Sequence, residues 1–324
     1  MPELICAAHA PRWQAERRKG ITATDIVILL GLSSHSSPYS LFHEKTGILP
    51  PPPDNDRWRL GRELEPYILH RWNESHPDLW AYRSDLYRND ARPWQMATLD
   101  AVVIEAPEND DDDPHGVGPL ELKSWADADK SSWADGPPPQ VRAQVLWQMD
   151  TLDVATGHVG VLFLPSGEFR SYVISHEESY AGSEWGCNGD TCQPCTELRV
   201  MREAARDFLD RLDLGEPPDV DGSAASLAAL RAVFAEPRND KVVPIDAWLW
   251  QAWLDLKAHA KQLDSDAHDV EARIREQLGE AGAIEVDGTI VGRRVIADAQ
   301  VKAHTRHQDY IRIIKREAAD DDGQ

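Results

Sequence analysis

The stretch "GPLELKSW", residues 118–125, decides how the rest of the chain is read. Its apolar rhythm predicts a strand, and side chains along a strand alternate between faces. Leu120 and Leu122 then share one face, and Glu121 and Lys123 share the other. With the leucines turned to a core, an acid and a base stand together on the opposite side. That side is either a solvated sheet face or the start of an active site.

The segments around it alternate in period. Upstream, "RRKGITATDIVILLGLS" (17–33) predicts a loop and a short helix from about Thr24 to Leu30, with Thr22 or Thr24 as N-cap and Gly31 as stop. "SPYSLFHEKTG" (37–47) predicts a second short helix. In "DRWRLGRELEPYILHRWNESHPD" (56–78), Leu60, Leu64, Tyr67, Ile68 and Trp72 recur with a helical period, and Pro66 marks a kink or a boundary. "WQMATLDAVVIE" (94–105) predicts a hairpin or a bent strand pair. Downstream, "QVRAQVLWQMDTLDV" (140–154) predicts a helix with Gln144 and Gln148 on one face. "HVGVLFLP" (158–165) and "FRSYVIS" (169–175) predict two more strands. The order predicts an α/β fold, a mixed central sheet flanked by helices.

Length and composition bound the rest. A chain of 324 residues is long enough for one large domain with an extension, or for two domains. No apolar run approaches the roughly 18 residues of a membrane span, so no membrane partner is expected. The first residues, "MPELICAAHAPRW", lack a secretory pattern, and a cytoplasmic protein is expected, in the host cell if a phage encodes it. The net charge of −22 argues against coating nucleic acid by bulk electrostatics. Arg12, Arg17, Arg18, Lys19, Arg57, Arg59 and Arg62 nevertheless make the first stretch locally basic, and a local basic surface grips phosphate.

Asp100 lies upstream of the Glu121–Leu122–Lys123 triplet. Two carboxylates converging from neighbouring strands hold a hard divalent cation, and a lysine beside them stabilises charge building up on a phosphate. Glu-x-Lys by itself occurs about once by chance in such a chain. Its weight comes from the pieces in order around it.

At this point the chain resembles a known family. "RRKGITATDIVILLGLS", "GRELEP", "ATLDAVV", "LELKSW" and "VRAQVLWQM", in this order, are similar to the YqaJ-type viral recombinases. Those proteins resemble phage lambda exonuclease, within the PD-(D/E)xK nuclease superfamily. The resemblance covers roughly residues 10–215. It implies a restriction-endonuclease-like core and Mg2+-dependent hydrolysis of DNA, with Mn2+ as a substitute. By resemblance, Asp100 and Glu121 are the metal-binding carboxylates, Lys123 the catalytic lysine, and the Leu122 carbonyl a further ligand. Glu65 matches the helix acid that supports a second metal, and Gln144 the helix glutamine at the site. Arg17 and Thr24 match positions that hold the terminal phosphate, with Thr98 nearby, and Arg18 fits the same role as Arg17. Leu99 stands where the family usually has proline, and Thr24 where it usually has serine.

The function implied is a phage-type exonuclease that resects double-stranded DNA ends, 5′ to 3′, for recombination. The alternatives are a repair or restriction-like endonuclease with an iron–sulfur staple, and a non-catalytic DNA-end-binding scaffold. A single-strand annealing protein is the expected protein partner, and the lambda resemblance implies a ring-shaped homotrimer. Cys6 and the cluster Cys187, Cys192 and Cys195 are laid out like the one-plus-three cysteines of an AddB-type iron–sulfur cluster. Iron–sulfur, Zn2+ and free thiols all remain open for them. The domain reading is a nuclease domain over 1–215 with a Cys-containing insertion at about 182–196, and a linker over 216–245. A helical arm, hairpin and acidic tail follow over 246–324. The hairpin is expected to turn at Asp287–Gly288.

Overall fold

The structure is a computed structural model that describes residues 2–8, 10–51, 54–105, 116–175, 193–236, 242–287 and 289–293. The chain divides into two units, residues 1–235 and 236–324.

Local chemistry sets the first helices. After β1 (Glu3–Cys6) and the short α1 (Trp13–Arg17), α2 (Ala23–Leu29) is opened by a capping box. The Thr22 hydroxyl accepts from the Asp25 amide, and the Asp25 carboxylate accepts from the Thr22 amide. Ser37 and Ser40 build the same device at α3 (Pro38–Lys45). Asn55 caps α4 (Asp56–Ser75), and Pro66 lies inside this helix rather than ending it. The missing proline donor costs one backbone bond. The burial of Ile68 and Trp72 in the turns that follow offsets that loss.

The strands come next: β2 (Leu79–Arg83), β3 (Leu86–Arg88), β4 (Met96–Thr98), β5 (Ala101–Glu105) and β6 (Gly116–Ala126). A 3-10 segment (Asp127–Trp133) and α5 (Pro139–Leu152) lead to β7 (Thr156–Leu164) and β8 (Phe169–Ser175). The central sheet has the order β2-β5-β6-β7-β8. Only β6 and β7 run parallel, and the parallel pair needs the crossover that α5 supplies. The sheet is mixed and flanked by helices, as expected from the sequence. "WQMATLDAVVIE" is neither a hairpin nor a bent pair: β4 joins β1 and β3 in a second, three-stranded sheet, while β5 joins the central one. The break falls at Leu99–Asp100, where the chain leaves one sheet for the other.

Each face of the central sheet has its own core. On one side Ile68 and Trp72 of α4 pack against Val103, Leu120, Leu122 and Leu162. On the other, Val141, Val145 and Met149 of α5 pack against Val159, Val161 and Phe163, with α2 and α6 (Gln193–Leu214) beyond. The leucines of β6 thus face α4, and burying each contributes about 1.5–3 kcal/mol. A slip of one residue would put Glu121 and Lys123 into that apolar layer, so the register is fixed.

Within the stretch read as a linker, 216–245, the structure has a helix. Ser223 caps α7 (Ala224–Val233), an alanine- and leucine-rich segment, and Ser226 donates to the Ser37 hydroxyl at 2.8 Å. Of the insertion expected at 182–196, residues 182–192 lie outside the described residues, and 193–196 form the first turn of α6. The second unit contains α8 (Ala247–Leu278) and an antiparallel hairpin of β9 (Ala283–Val286) and β10 (Thr289–Arg293). Asp287, at φ 50°, begins the hairpin turn, and Gly288 lies outside the described residues.

Candidate active site

Glu121 and Lys123 project from β6 away from α4, and α5 crosses that side. Their head groups are in direct contact. Glu121 is 4% exposed, and its second carboxylate oxygen accepts from Gln148 Nε2 at 2.5 Å. Asp100, at the break between β4 and β5, accepts the Leu122 amide on Oδ2 at 2.8 Å. This bond ties Asp100 to the strand that carries Glu121 and Lys123, where a partly buried backbone N–H finds its acceptor.

These three side chains open into a cleft of about 510 Å³. Burial and the neighbouring Glu121 charge push the Asp100 carboxyl well above the usual range, although Lys123 opposes them. Burial alone would lower the Lys123 ammonium; the charges of Glu121 and Asp100 outweigh it and hold the ammonium above its ordinary value. Glu65 on α4 also lines the cleft and is salt-bridged to Arg83 at 2.6 Å. Burial raises its carboxyl despite Arg83.

Arg17, Thr24, Thr98 and Gln144 line the same cleft. The Arg17 guanidinium lies 4.6 Å over the Trp13 ring and donates to Thr22 Oγ1 at 3.4 Å. Trp13 Nε1 in turn donates to Thr98 Oγ1 at 3.2 Å. Lys45 holds the turn that carries Arg17, donating to the carbonyls of Arg17 and Gly20 at 2.9 and 2.6 Å while paired to buried Asp25. Arg18 does not join the site: at the C-cap of α1 its side chain is exposed and outside the cleft lining. Adjacent residues on one turn point apart, so of Arg17 and Arg18 the first alone lines the cleft.

Reasoning from the sequence misses several lining residues. Gln148 shares a face with Gln144 but carries no assigned role in the sequence, yet it is the glutamine bonded to Glu121. Its four-residue offset from Gln144 is the signal. Trp13, Trp58 and Arg57 also line the cleft, and Trp58 is 42% exposed.

The oxygen donors fit a hard divalent cation. Glu121 and the Leu122 carbonyl are neighbours on β6, the Leu122 amide ties Asp100 to the same place, and burial together with the Glu121 charge raises the Asp100 carboxyl despite Lys123. No cluster of three or more metal-ligating side chains forms among the described residues. Of the four cysteines, Cys187 and Cys192 lie outside the described residues. Cys6 is buried beside Leu86 and Met96, and Cys195 is half-buried on α6.

Residues 12–158 match the model of the YqaJ-like viral recombinase domain. The uncharacterized protein YqaJ of Bacillus subtilis (strain 168) is 21% identical over 273 residues, 83% of this chain and 78% of that protein. Among solved structures, an alkaline exonuclease from Laribacter hongkongensis is 16% identical, with a TM-score of 0.46 over 64% of this chain and 94% of its own. A phage related exonuclease from Haemophilus somnus 129PT is 9% identical, with a TM-score of 0.41 over 60% and 96%.

Proposed function

We propose that this chain, which carries a YqaJ-like viral recombinase domain over residues 12–158, is a metal-dependent exonuclease that resects double-stranded DNA ends, 5′ to 3′. The observation that carries the reading is the junction of Asp100, Glu121 and Lys123 in one cleft, with Glu121 clamped by Gln148. Asp100, Glu121 and the Leu122 carbonyl would hold Mg2+ or Mn2+, with Glu65 supporting a second ion. A bound ion would supply Lewis acidity next to a phosphodiester.

The chain's own groups do the rest. Water adds to phosphorus, the P–O bond to the leaving nucleoside breaks, and the proton passes to that oxygen through solvent. Lys123 offsets the charge growing on the phosphate oxygens. Gln148 holds Glu121 by its amide N–H, and its Oε1 is buried without a partner among the described residues. An acceptor in that position suits a water proton or a hydroxyl. Arg17, Thr24 and Thr98 bind the terminal phosphate, and Trp58 presents a ring to a base. A single-strand annealing protein as partner and a ring-shaped trimer belong to the same reading. No described helix is long and apolar enough to cross a membrane.

The test is digestion of linear and closed circular duplex in Mg2+ by the wild type, Lys123→Ala and Glu121→Gln. Wild type is expected to consume linear DNA alone, and both variants to lose about 10³-fold or more in rate while melting normally. Undiminished digestion by Lys123→Ala rejects the site. Cutting of circles rejects an exonuclease. End-labelling of each strand reads the polarity.

A further inference from the structure

The helix α8 has no buried residue along its 32 residues. Its apolar side chains are nonetheless not scattered. Leu249, Leu256, Leu263 and Val270 recur every seven residues, and Trp253, Ala260, Ala267 and Ile274 recur every seven residues between them. The two rows alternate in steps of four and three, which is the seam of a coiled coil: the first row occupies d positions and the second a positions. Leu256 and Leu263, in the middle of the seam, are 68% and 67% exposed. A continuous apolar seam about 40 Å long at 1.5 Å per residue is too costly to leave in water.

We propose that this seam binds a second copy of the same chain, with the two α8 helices antiparallel. Size complementarity points to that partner. When the helices cross about the midpoint between Ala260 and Leu263, each large side chain meets a smaller or branched one. Leu263 faces the partner's Ala260, Leu256 faces the partner's Ala267, and Trp253 faces the partner's Val270. Leu249 then faces the partner's Ile274. A parallel pairing would instead set Ala260 against the partner's Ala260 and Ala267 against the partner's Ala267, in the layers on either side of Leu263, and leave voids.

Charge complementarity selects the same arrangement. Antiparallel helices bring e positions against e and g positions against g. Lys257 then stands opposite the partner's Asp264, and His259 opposite the partner's Asp266. Two-fold symmetry repeats both pairs, and no like charges meet. In a parallel pairing Asp266 would face the partner's Glu271 twice, a repulsive contact. The local partners do not obstruct this. Lys257 lies over the Trp253 ring at 5.3 Å, while Asp264 and Asp266 hold only exposed contacts one turn away, to His268 and Gln262.

The test is the mass in solution of the full-length protein and three variants, by light scattering after gel filtration. Leu256→Glu/Leu263→Glu is expected to halve the wild-type mass, with the first unit either a monomer or the ring-shaped trimer of the proposed function, since α8 pairing then joins two such assemblies. Lys257→Glu is expected to weaken association at least tenfold, because it sets a carboxylate opposite the partner's Asp264. Lys257→Glu/Asp264→Lys is expected to restore it, because the swapped charges pair again only between antiparallel copies. Far-UV circular dichroism checks that the helix survives each change. Equal mass for wild type and Leu256→Glu/Leu263→Glu overturns the proposal, and assigns the seam to another segment of the same chain or to another protein. A halved mass without rescue by the double charge swap overturns the antiparallel arrangement.

Discussion

At Gln148 the role of one amide is separable from the fold. Its Nε2 donates to Glu121 and its Oε1 is buried without a described partner, so the side chain is a spacer with one end bonded and one end waiting. Gln148→Met keeps the volume and removes both polar ends. We expect the DNA-hydrolysis rate to fall roughly 10–100-fold, the usual effect of losing a group that orients a metal ligand. The melting temperature should change little, since an unsatisfied acceptor leaves with the donor. A rate equal to wild type would show that Glu121 is held by Lys123 alone. At this scale the sequence was informative about residue type. The Glu-x-Lys alternation told which side chains share a face, and Asp100 stood out as an acid ahead of it. It could not tell Arg17 from Arg18, or Gln144 from Gln148, because neighbours on a turn or helix differ only in direction.

Between elements, the buried carboxylate of Asp150 staples three segments. It sits at the C-terminal end of α5 with its side chain fully buried. Arg92 pairs with it at 2.9 Å, Arg202 of α6 at 2.8 Å, and Gln95 donates at 2.8 Å. Asn89 adds a bond to the Asp150 carbonyl at 3.0 Å. Asp150→Ala leaves two arginines, each more than half covered, facing each other without their anion. The expected cost is about 3 kcal/mol, read as a lowered urea midpoint with an unchanged slope. Arg202→Met alone should cost less, because Arg92 and Gln95 still satisfy the carboxylate. Equal losses for both would refute a shared staple. The helices themselves were legible from their apolar period and their caps. The partition of "WQMATLDAVVIE" between two sheets was not, since short strands declare a period of two but not the sheet they join.

For the whole molecule, the pH dependence of stability has a defined internal contributor. His158 on β7 is buried with its ring edge-on to Trp72 at a centroid distance of 5.6 Å. Both its ring nitrogens lack partners among the described residues, and burial, with nearby His76, lowers its pKa to about 4. Between that value and about 6.5 the unfolded chain binds a proton that the folded chain refuses. Stability from this group is therefore fully present above about pH 6.5, is lost as pH falls, and stops changing below about pH 4. The loss is on the order of 3 kcal/mol. His158→Leu should flatten the acid limb of a urea-midpoint-against-pH curve relative to wild type and leave the neutral region nearly unchanged. Parallel curves would contradict it. The carboxylates of this acidic chain contribute to both curves alike, so the difference isolates the histidine.

The sequence by itself determined the helices α2 to α5 and the strands β7 and β8, the strand that carries the acid and the base, and the heptad spacing of α8. Each of these rests on local periodicity, which a side chain's direction from its own backbone enforces. Only the tertiary structure decided that Asp100 is tied to the β6 backbone, that Gln148 rather than Gln144 meets Glu121, and that α7 packs where a linker was expected. Those outcomes depend on which faces cover one another, a property of the packed cores that no stretch of sequence carries alone.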